Sequence, residues 1–231
     1  MEDIASALDP IKAIVWGEAA MGFVGVGTIR NSFMLVIEDS DLDAAIESLH
    51  SAGFRDAPWS YGSMVNPEIF TDERIRNIHR WNVIDYRSID ANSIRFEFPA
   101  HTGEELRAVL IPSSYAHLSL QLIPESRFTF HKGMYFPDRE LLLESFIKTV
   151  VREREPSIWS STLTFWSTSY LYGQLMLSND VLDSSSDEKA KAWFNENIRR
   201  DSGGLDRSMT KRRGRLPETH QGLAHPGKTC G

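Results

Sequence analysis

The sequence predicts an α/β (α+β) fold, in which a mixed β-sheet is flanked by helices and followed by a C-terminal helical extension and a disordered tail. Residues 32–37 form an apolar run rich in strand formers between two helix-compatible segments. Several short apolar segments bounded by turn residues follow, as expected for further strands. From Asp138 onward the apolar residues recur at helical spacing instead. A chain of 231 residues with 41% hydrophobic content can bury the core that such a fold needs.

The N-terminal part of the chain is predicted to form helices, then a strand, then a helix. Residues 3–24 have helix-compatible apolar spacing that is broken at Pro10, which favours two short helices over one. A glycine-rich turn precedes the strand at 32–37. Beyond that strand, Ser40 is a suitable N-cap for a helix that stops at Gly53.

Four further strands are predicted in the middle of the chain. They cover residues 82–86, 93–98, 106–111 and 118–122. Each is bounded by Pro, Gly, Asp or Asn, which are typical of strand ends. Together with the first strand they predict a mixed sheet.

Helical patterns dominate the C-terminal part. One helix is predicted to begin at Asp138, directly after Pro137, and a second follows Pro156. The second carries tryptophan and tyrosine residues at helical spacing, which indicates a packing face. A polar linker at 183–188 precedes one short amphipathic helix.

These elements predict three parts of the chain. They are an α/β domain at 1–125, a helical extension packed on it at 126–200, and a disordered basic tail at 201–231. The tail has almost no large apolar side chains, so it cannot bury enough surface to offset the entropy of ordering. It contains a candidate nuclear-targeting cluster, Lys211, Arg212, Arg213 and Arg215.

Charge and cysteine content limit the partners and the compartment. The net charge of −7 gives no general reason to expect nucleic acid or an anionic membrane as a partner, except through the basic tail. Cys230 is the one cysteine, so no intrachain disulfide can form, which fits a reducing compartment. No segment approaches the roughly 20 apolar residues of a membrane helix. We therefore expect a soluble, cytoplasmic or nuclear protein.

A family resemblance begins at residues 14–21, Ile-Val-Trp-Gly-Glu-Ala-Ala-Met. It continues through Gly-Val at 25–26, Thr-Ile-Arg at 28–30, the apolar strand, and the helix that ends at Gly53 and Phe54. This layout resembles the nucleotidyltransferase fold superfamily, in the minimal form of bacterial toxin–antitoxin modules and their uncharacterised fungal relatives. The resemblance extends more loosely to about residue 122. It implies that residues 1–125 form a nucleotidyltransferase-like sheet.

The resemblance implies a degenerate site. In that superfamily a turn at a helix start helps to hold the nucleotide's phosphates, and two strand carboxylates one residue apart bind divalent metal. The corresponding residues here are Gly17 and Glu18 at the helix start, and Ser32 and Met34 on the strand. An aspartate pair on one strand face can hold Mg²⁺, whereas a thioether is a poor ligand for that ion. We therefore predict no metal and no cofactor, and retain Gly17, Glu18 and Ser32 as candidate nucleotide-binding residues.

Two carboxylates elsewhere in the sequence are candidate replacements for the missing pair. Glu38 shares the strand face of Met34 but lies roughly 13 Å further along it. Glu97 could correspond to the third carboxylate of the family, but it would stand alone. Glu38 and Glu97 remain the candidate catalytic residues. The series Ser113, Ser114 and His117 lacks both the Gly-x-Ser-x-Gly elbow and a marked acid, which favours a local structural role.

Three functional hypotheses follow, in decreasing order of preference. The first is a non-catalytic nucleotidyltransferase-like protein that acts as a binding, regulatory or accessory factor. The second is an enzyme, either with nucleotidyl transfer rearranged onto Glu38, Asp39 and Glu97 or with a different tailoring reaction in a pocket between the sheet and the tryptophan-rich helices. The third is a nuclear factor targeted by its basic tail. The partner would be a protein or a small molecule, with a nucleotide among the candidates.

Overall fold

A computed structural model of the chain describes residues 2–63, 65–153 and 155–199. It confirms the predicted fold class, a mixed sheet flanked by helices. The strands are β1 Ala13–Trp16, β2 Ser32–Ile37, β3 Arg55–Asp56, β4 Ile94–Glu97, β5 Arg107–Pro112, β6 Phe128–His131 and β7 Met134–Pro137. The predicted tail, with its basic cluster and Cys230, lies outside the described residues.

Helices cover the sheet and extend beyond it. In the described ranges the α-helices are α1 Glu2–Leu8, α2 Gly17–Phe23, α3 Leu42–Ser51, α4 Glu73–Asp85, α5 Arg87–Ala91, α6 Ser113–Ala116, α7 Arg139–Arg152, α8 Ile158–Phe165 and α9 Glu188–Asn197. Helix α8 continues as a π-helical segment, Trp166–Gln174. None of these helices combines the length and apolar character needed to cross a membrane.

The sheet order is β3-β4-β5-β2-β1-β7-β6. Strand β2 is central, antiparallel to β1 and parallel to β5. Its six residues are all buried, which explains why its sequence shows a continuous apolar run rather than alternation. The register places Met34 opposite Trp16, and Ser32 opposite Arg107. Glu97 lies opposite Arg107 on the other side, one strand further from Ser32.

The N-terminal prediction was partly wrong. The first helix ends before Pro10 as expected, but residues 13–16 form strand β1 rather than helix. A short apolar run fits a buried strand and a helix equally well by periodicity, and here tertiary pairing with β2 decides. The predicted stop at Gly53 is confirmed, since its φ is +89°. The N-cap of α3 is Asp41 rather than Ser40, and neither side chain caps the helix.

The strand predictions at 82–86 and 118–122 were also wrong. Residues 82–85 end helix α4, which begins after Asp72, whose carboxylate accepts a hydrogen bond from the Arg74 amide. Residues 118–119 have no regular structure, and residues 120–122 form a turn. The strands at 93–98 and 106–111 are confirmed as β4 and β5.

The C-terminal helices begin where the sequence indicated. Asp138 caps α7, and Ser157 forms a capping box with Ser160 at the start of α8. Ahead of α7, the hairpin β6–β7 was missed, and β7 pairs with β1 in parallel. The sheet therefore continues past residue 125, and α7 packs on α2, α8 and α9.

Candidate functional site

The helix start after β1 is built around a close approach between Gly17 and Met34. Gly17 has φ +61°, a left-handed conformation that favours glycine. A Cβ at this position would also lie 2.4 Å from the Met34 sulfur, closer than atoms can pack. Residue 17 is thus glycine for two independent reasons, and α2 starts directly against the strand position that the resemblance assigns to a metal ligand.

The two strand positions assigned to metal ligands contact the same tyrosine. Ser32 and Met34 are both buried. The Tyr61 hydroxyl lies 3.4 Å from Ser32 Oγ and 3.9 Å from Met34 Sδ. Its ring comes from the segment after β3. A hydroxyl, a thioether and a phenol do not form the oxygen-rich anionic donor set that Mg²⁺ requires, so these residues do not fit the family's metal.

Tyr61 is fixed from several sides. Its backbone N–H donates to Asp90 Oδ1 at 2.7 Å. Its ring packs edge-on against Trp159 at 5.3 Å and tilted against Tyr86 at 5.7 Å. Burial, followed by the nearby Glu18 carboxylate, raises the pKa of Tyr61 well above its ordinary range, so it stays a neutral phenol.

Arg107 brings a buried positive charge to the same end of the sheet. It is 4% exposed and sits opposite Ser32 on β5. Its guanidinium donates to the carbonyls of Ser60 and Tyr61 at 3.1 and 2.7 Å. Among the described residues it forms no ion pair within 4.0 Å with a carboxylate. Burial lowers its pKa to about 10, so it remains cationic at neutral pH.

Glu18 brings a buried carboxyl group. It is also 4% exposed. Its Oε1 accepts a hydrogen bond from Asn31 Nδ2 at 3.2 Å, whereas no described residue donates to Oε2. Burial raises the pKa of Glu18 to about 7, against the opposing effects of its own backbone amide and of Asn31. The residue that the resemblance associates with phosphate binding is therefore an under-satisfied acid.

Glu18 and Arg107 line one cavity of about 280 Å³. The cavity lies between the N-terminal end of β2 and the α8 region, and its walls are Glu18, Asn31, Tyr61, Gly62, Tyr86, Arg107, Thr162 and Trp166. A larger cleft, of about 740 Å³, lies between α5 and α7 and includes Ser114 and His117. Burial, with Arg152 and Lys148 nearby, lowers the pKa of His117 to about 4.

The remaining candidate carboxylates lie apart from this cavity. Glu38 accepts hydrogen bonds from Ser119 Oγ and the Leu120 amide, at 2.9 and 2.7 Å. Glu97 forms an ion pair with Arg55, at 3.1 Å, on the outer strands. Because Glu97 shares the register row of Ser32 and Glu38 follows the other end of β2, about six strand residues or roughly 20 Å separate them.

Ser113 has a structural partner rather than a catalytic one. Its hydroxyl donates to Asp39 Oδ1 at 3.0 Å, as does the Ser114 amide. Asp39 was named with Glu38 and Glu97 in the rearranged-enzyme hypothesis, and it lies on the Glu38 side of the sheet. Within the described part of the chain, no group of three or more His, Cys, Asp and Glu side chains is arranged to hold a metal ion.

Asn31, Arg107 and Tyr61 are among the cavity residues that sequence reasoning missed. Asn31 adjoins the strand and carries no motif, whereas Arg107 is a charged residue at the start of an apolar run, an anomaly that is visible in the sequence. Tyr61 lies in an irregular segment, 29 residues along the chain from Ser32, and no pattern indicates its role. Only the folded register brings the three together.

No protein-family model, curated protein or solved structure matches this chain.

Proposed function

We propose that this protein is a non-catalytic nucleotidyltransferase-like protein that acts as a binding, regulatory or accessory factor. The observation that carries the proposal is the Tyr61 hydroxyl, which contacts both Ser32 and Met34. In the family that the sequence resembles, those two positions hold the metal that makes nucleotidyl transfer work. In this protein, the side chains at those two positions contact the buried phenol of Tyr61 instead.

The arrangement around β2 supports the family assignment. A strand leads into a helix that starts with glycine, and the chain then returns as an antiparallel strand beside the first. The helix start approaches the strand at Met34. The resemblance implies the helix start and the strand that follows it, here with the reactive side chains replaced.

Restoring a metal site would require displacement of Tyr61. Its ring packs against Trp159 and Tyr86 inside the core. Loss of a buried aromatic side chain typically costs about 3–5 kcal/mol. The rearranged alternative lacks support as well. Glu38 and Asp39 accept hydrogen bonds from the segment after β5, whereas Glu97 pairs with Arg55 at the other end of the sheet.

A binding role is favoured because the end of the sheet retains a cavity with polar groups in it. Pockets with a few convergent polar groups are the usual binding sites of proteins. We place this function in the cytoplasm or nucleus, with a small molecule or a protein as partner.

The test is a transfer assay with purified protein, radiolabelled nucleoside triphosphates, Mg²⁺ or Mn²⁺, and cell extract as a source of acceptors. We expect no label above a protein-free control, while an active nucleotidyltransferase labels its acceptor in parallel. Metal-dependent transfer that is lost in Glu97→Gln but kept in Glu47→Gln, an exposed carboxylate on α3, would overturn the proposal.

A further inference from the structure

The cavity at the N-terminal end of β2 contains a buried acid and a buried base that do not pair with each other. Glu18 and Arg107 are each 4% exposed, and both line it. They form no ion pair with each other, and none with another described residue. Buried charges in proteins are normally paired, because a charge removed from water is costly. A ligand could therefore supply the counter-charge that Glu18 and Arg107 each lack in the protein.

The fold keeps the two groups apart but facing one space. Glu18 follows β1 and Arg107 begins β5, on opposite sides of β2. Two strand spacings, about 10 Å in total, separate their backbones. The Arg107 guanidinium is held by the Ser60 and Tyr61 carbonyls, so it is not free to swing across to Glu18. A single small molecule with a charge at each end can contact both.

Aromatic residues form part of the cavity wall. Tyr61, Tyr86 and Trp166 contribute rings to the cavity. An ammonium group gains energy from the face of such rings, by about 0.5–2 kcal/mol in partly desolvated sites. Asn31 already donates to Glu18 Oε1, whereas Oε2 is buried without a donor, so it is the oxygen that lacks a partner. The Glu18 end therefore suits a cation.

We propose that this cavity binds a small zwitterion the size of an amino acid, with its ammonium group on Glu18 and its carboxylate on Arg107. This inference rests on the proposed binding function and gives it a ligand class. The volume of about 280 Å³ lies below the roughly 300–1,000 Å³ of pockets for drug-sized ligands.

Other ligand classes fit the charges less well. A nucleoside triphosphate would bring several negative charges against Glu18, in a cavity too small for it. A simple amine leaves Arg107 without a counter-ion, and a simple carboxylic acid leaves Glu18 without one. Only a molecule with both charges satisfies both side chains.

Binding is expected to be linked to protonation of Glu18. The other titratable groups that face it are Tyr61, Tyr86 and Arg107, and these do not titrate near neutral pH. The Glu18 pKa of about 7 in the free protein should fall when an ammonium group binds. Affinity for the zwitterion should therefore rise as the pH increases through 7, with proton release on binding.

The experiment is isothermal titration calorimetry of the full chain against three sets of probes. The first is the twenty standard amino acids, the second the matching amines and carboxylic acids that lack one charge, and the third ATP with Mg²⁺. We expect at least one amino acid to bind, with affinity at least about tenfold above that of its amine and acid counterparts. Absence of binding by every amino acid, equal binding of the singly charged counterparts, or preferential binding of ATP overturns the inference.

Variants separate the site from general effects on folding. Glu18→Gln keeps the shape and the Asn31 contact but removes the charge, so it should weaken amino-acid binding at least about tenfold and abolish the proton release. Glu47→Gln, which removes an exposed carboxylate on α3 that does not line the cavity, should bind as the wild type does. Circular dichroism confirms that each variant is folded. Unchanged binding in Glu18→Gln contradicts the inference, whereas label transfer in the assay above contradicts the proposed function independently.

Discussion

The carboxylates at the two ends of strand β2 differ in their burial and in their hydrogen bonding. After its C-terminal end, Glu38 and Asp39 accept hydrogen bonds from hydroxyl and backbone donors of the segment that follows β5. Beside its N-terminal end, Glu18 is buried with one oxygen that lacks a donor. Acids that accept hydrogen bonds from the protein and leave no buried oxygen unpartnered stabilise a structure, whereas a buried acid with an unpartnered oxygen lowers stability unless a ligand binds it. The N-terminal end is therefore where we expect function.

The pKa values of Asp39 and Glu18 reflect the same difference between the two ends of β2. Partial burial alone would raise the pKa of Asp39, but hydrogen bonds from Ser114 and Ser113 outweigh it and hold that pKa below its ordinary value. Burial raises the pKa of Glu18 to about 7. Asp39 thus stabilises the fold above its ordinary pKa and loses this effect as the pH falls. Glu18 destabilises the fold progressively as the pH rises from its ordinary pKa of 4.5 to about 7.

The largest expected effect tests the close approach at the helix start. Gly17→Ala should lower the free energy of unfolding by about 3 kcal/mol, because it combines an unfavourable φ with a clash against the Met34 sulfur. Gly22→Ala is the matched control in the same helix, since a Cβ there meets nothing within 4 Å. It should leave stability unchanged or raise it by up to about 1 kcal/mol. Urea unfolding measures both, and equal effects of the two variants would contradict the packing described.

The next effect tests the under-satisfied acid. Glu18→Gln should raise the free energy of unfolding by about 2 kcal/mol near pH 8, because it removes a buried charge. The folded-state pKa of about 7 exceeds the ordinary 4.5, so the gain should shrink as the pH falls towards about 5, where the folded protein keeps Glu18 protonated. Urea unfolding across this pH range provides the measurement. A loss of stability at pH 8 would show that Glu18 is satisfied after all.

The opposite end of β2 should respond in the opposite direction. Glu38→Ala removes the acceptor for Ser119 and Leu120, so it should cost about 1–2 kcal/mol at neutral pH. Glu47→Ala on the exposed face of α3 serves as the control and should change stability by less than about 0.5 kcal/mol. If Glu38→Ala is also neutral in thermal and urea unfolding, the two ends do not differ as described.

The smallest effect concerns the outer strands. Glu97→Gln breaks an ion pair with Arg55 in which both side chains are largely exposed, at 41% and 70%. Such pairs contribute about 0–1 kcal/mol, so urea unfolding should detect little change. A cost well above this range would mean that Glu97 has a role that its contacts do not show.

The sequence was sufficient to predict the parts of the fold that depend on local pattern. The β2 run, the Gly53 stop and the Asp138 cap were all visible as composition at fixed spacing. Strand β1 was missed because its four residues run directly into a helix, so no turn marks the boundary. Val83 misled in the other direction, since it is apolar but half-exposed on α4.

The candidate site could be predicted only in part. Gly17, Glu18 and Ser32 were named from the resemblance, and Glu18 and Ser32 lie at the N-terminal end of β2 as expected. Arg107 and Tyr61 were not predicted, because their places depend on strand register and on an irregular segment. Both residues affect what the site can bind. Arg107 brings a positive charge, and Tyr61 occupies the space beside Ser32 and Met34, the two positions that the resemblance assigns to metal ligands.

The most direct test of the central claim is whether these positions bind a divalent ion. Mn²⁺ titrated into the protein can be followed by the electron paramagnetic resonance signal of the free ion. We predict the signal of a buffer blank, apart from weak surface binding that is the same in wild type and Ser32→Ala. One tightly bound Mn²⁺ per chain that is lost in Ser32→Ala would contradict the account, because it would place a metal where the structure places Tyr61.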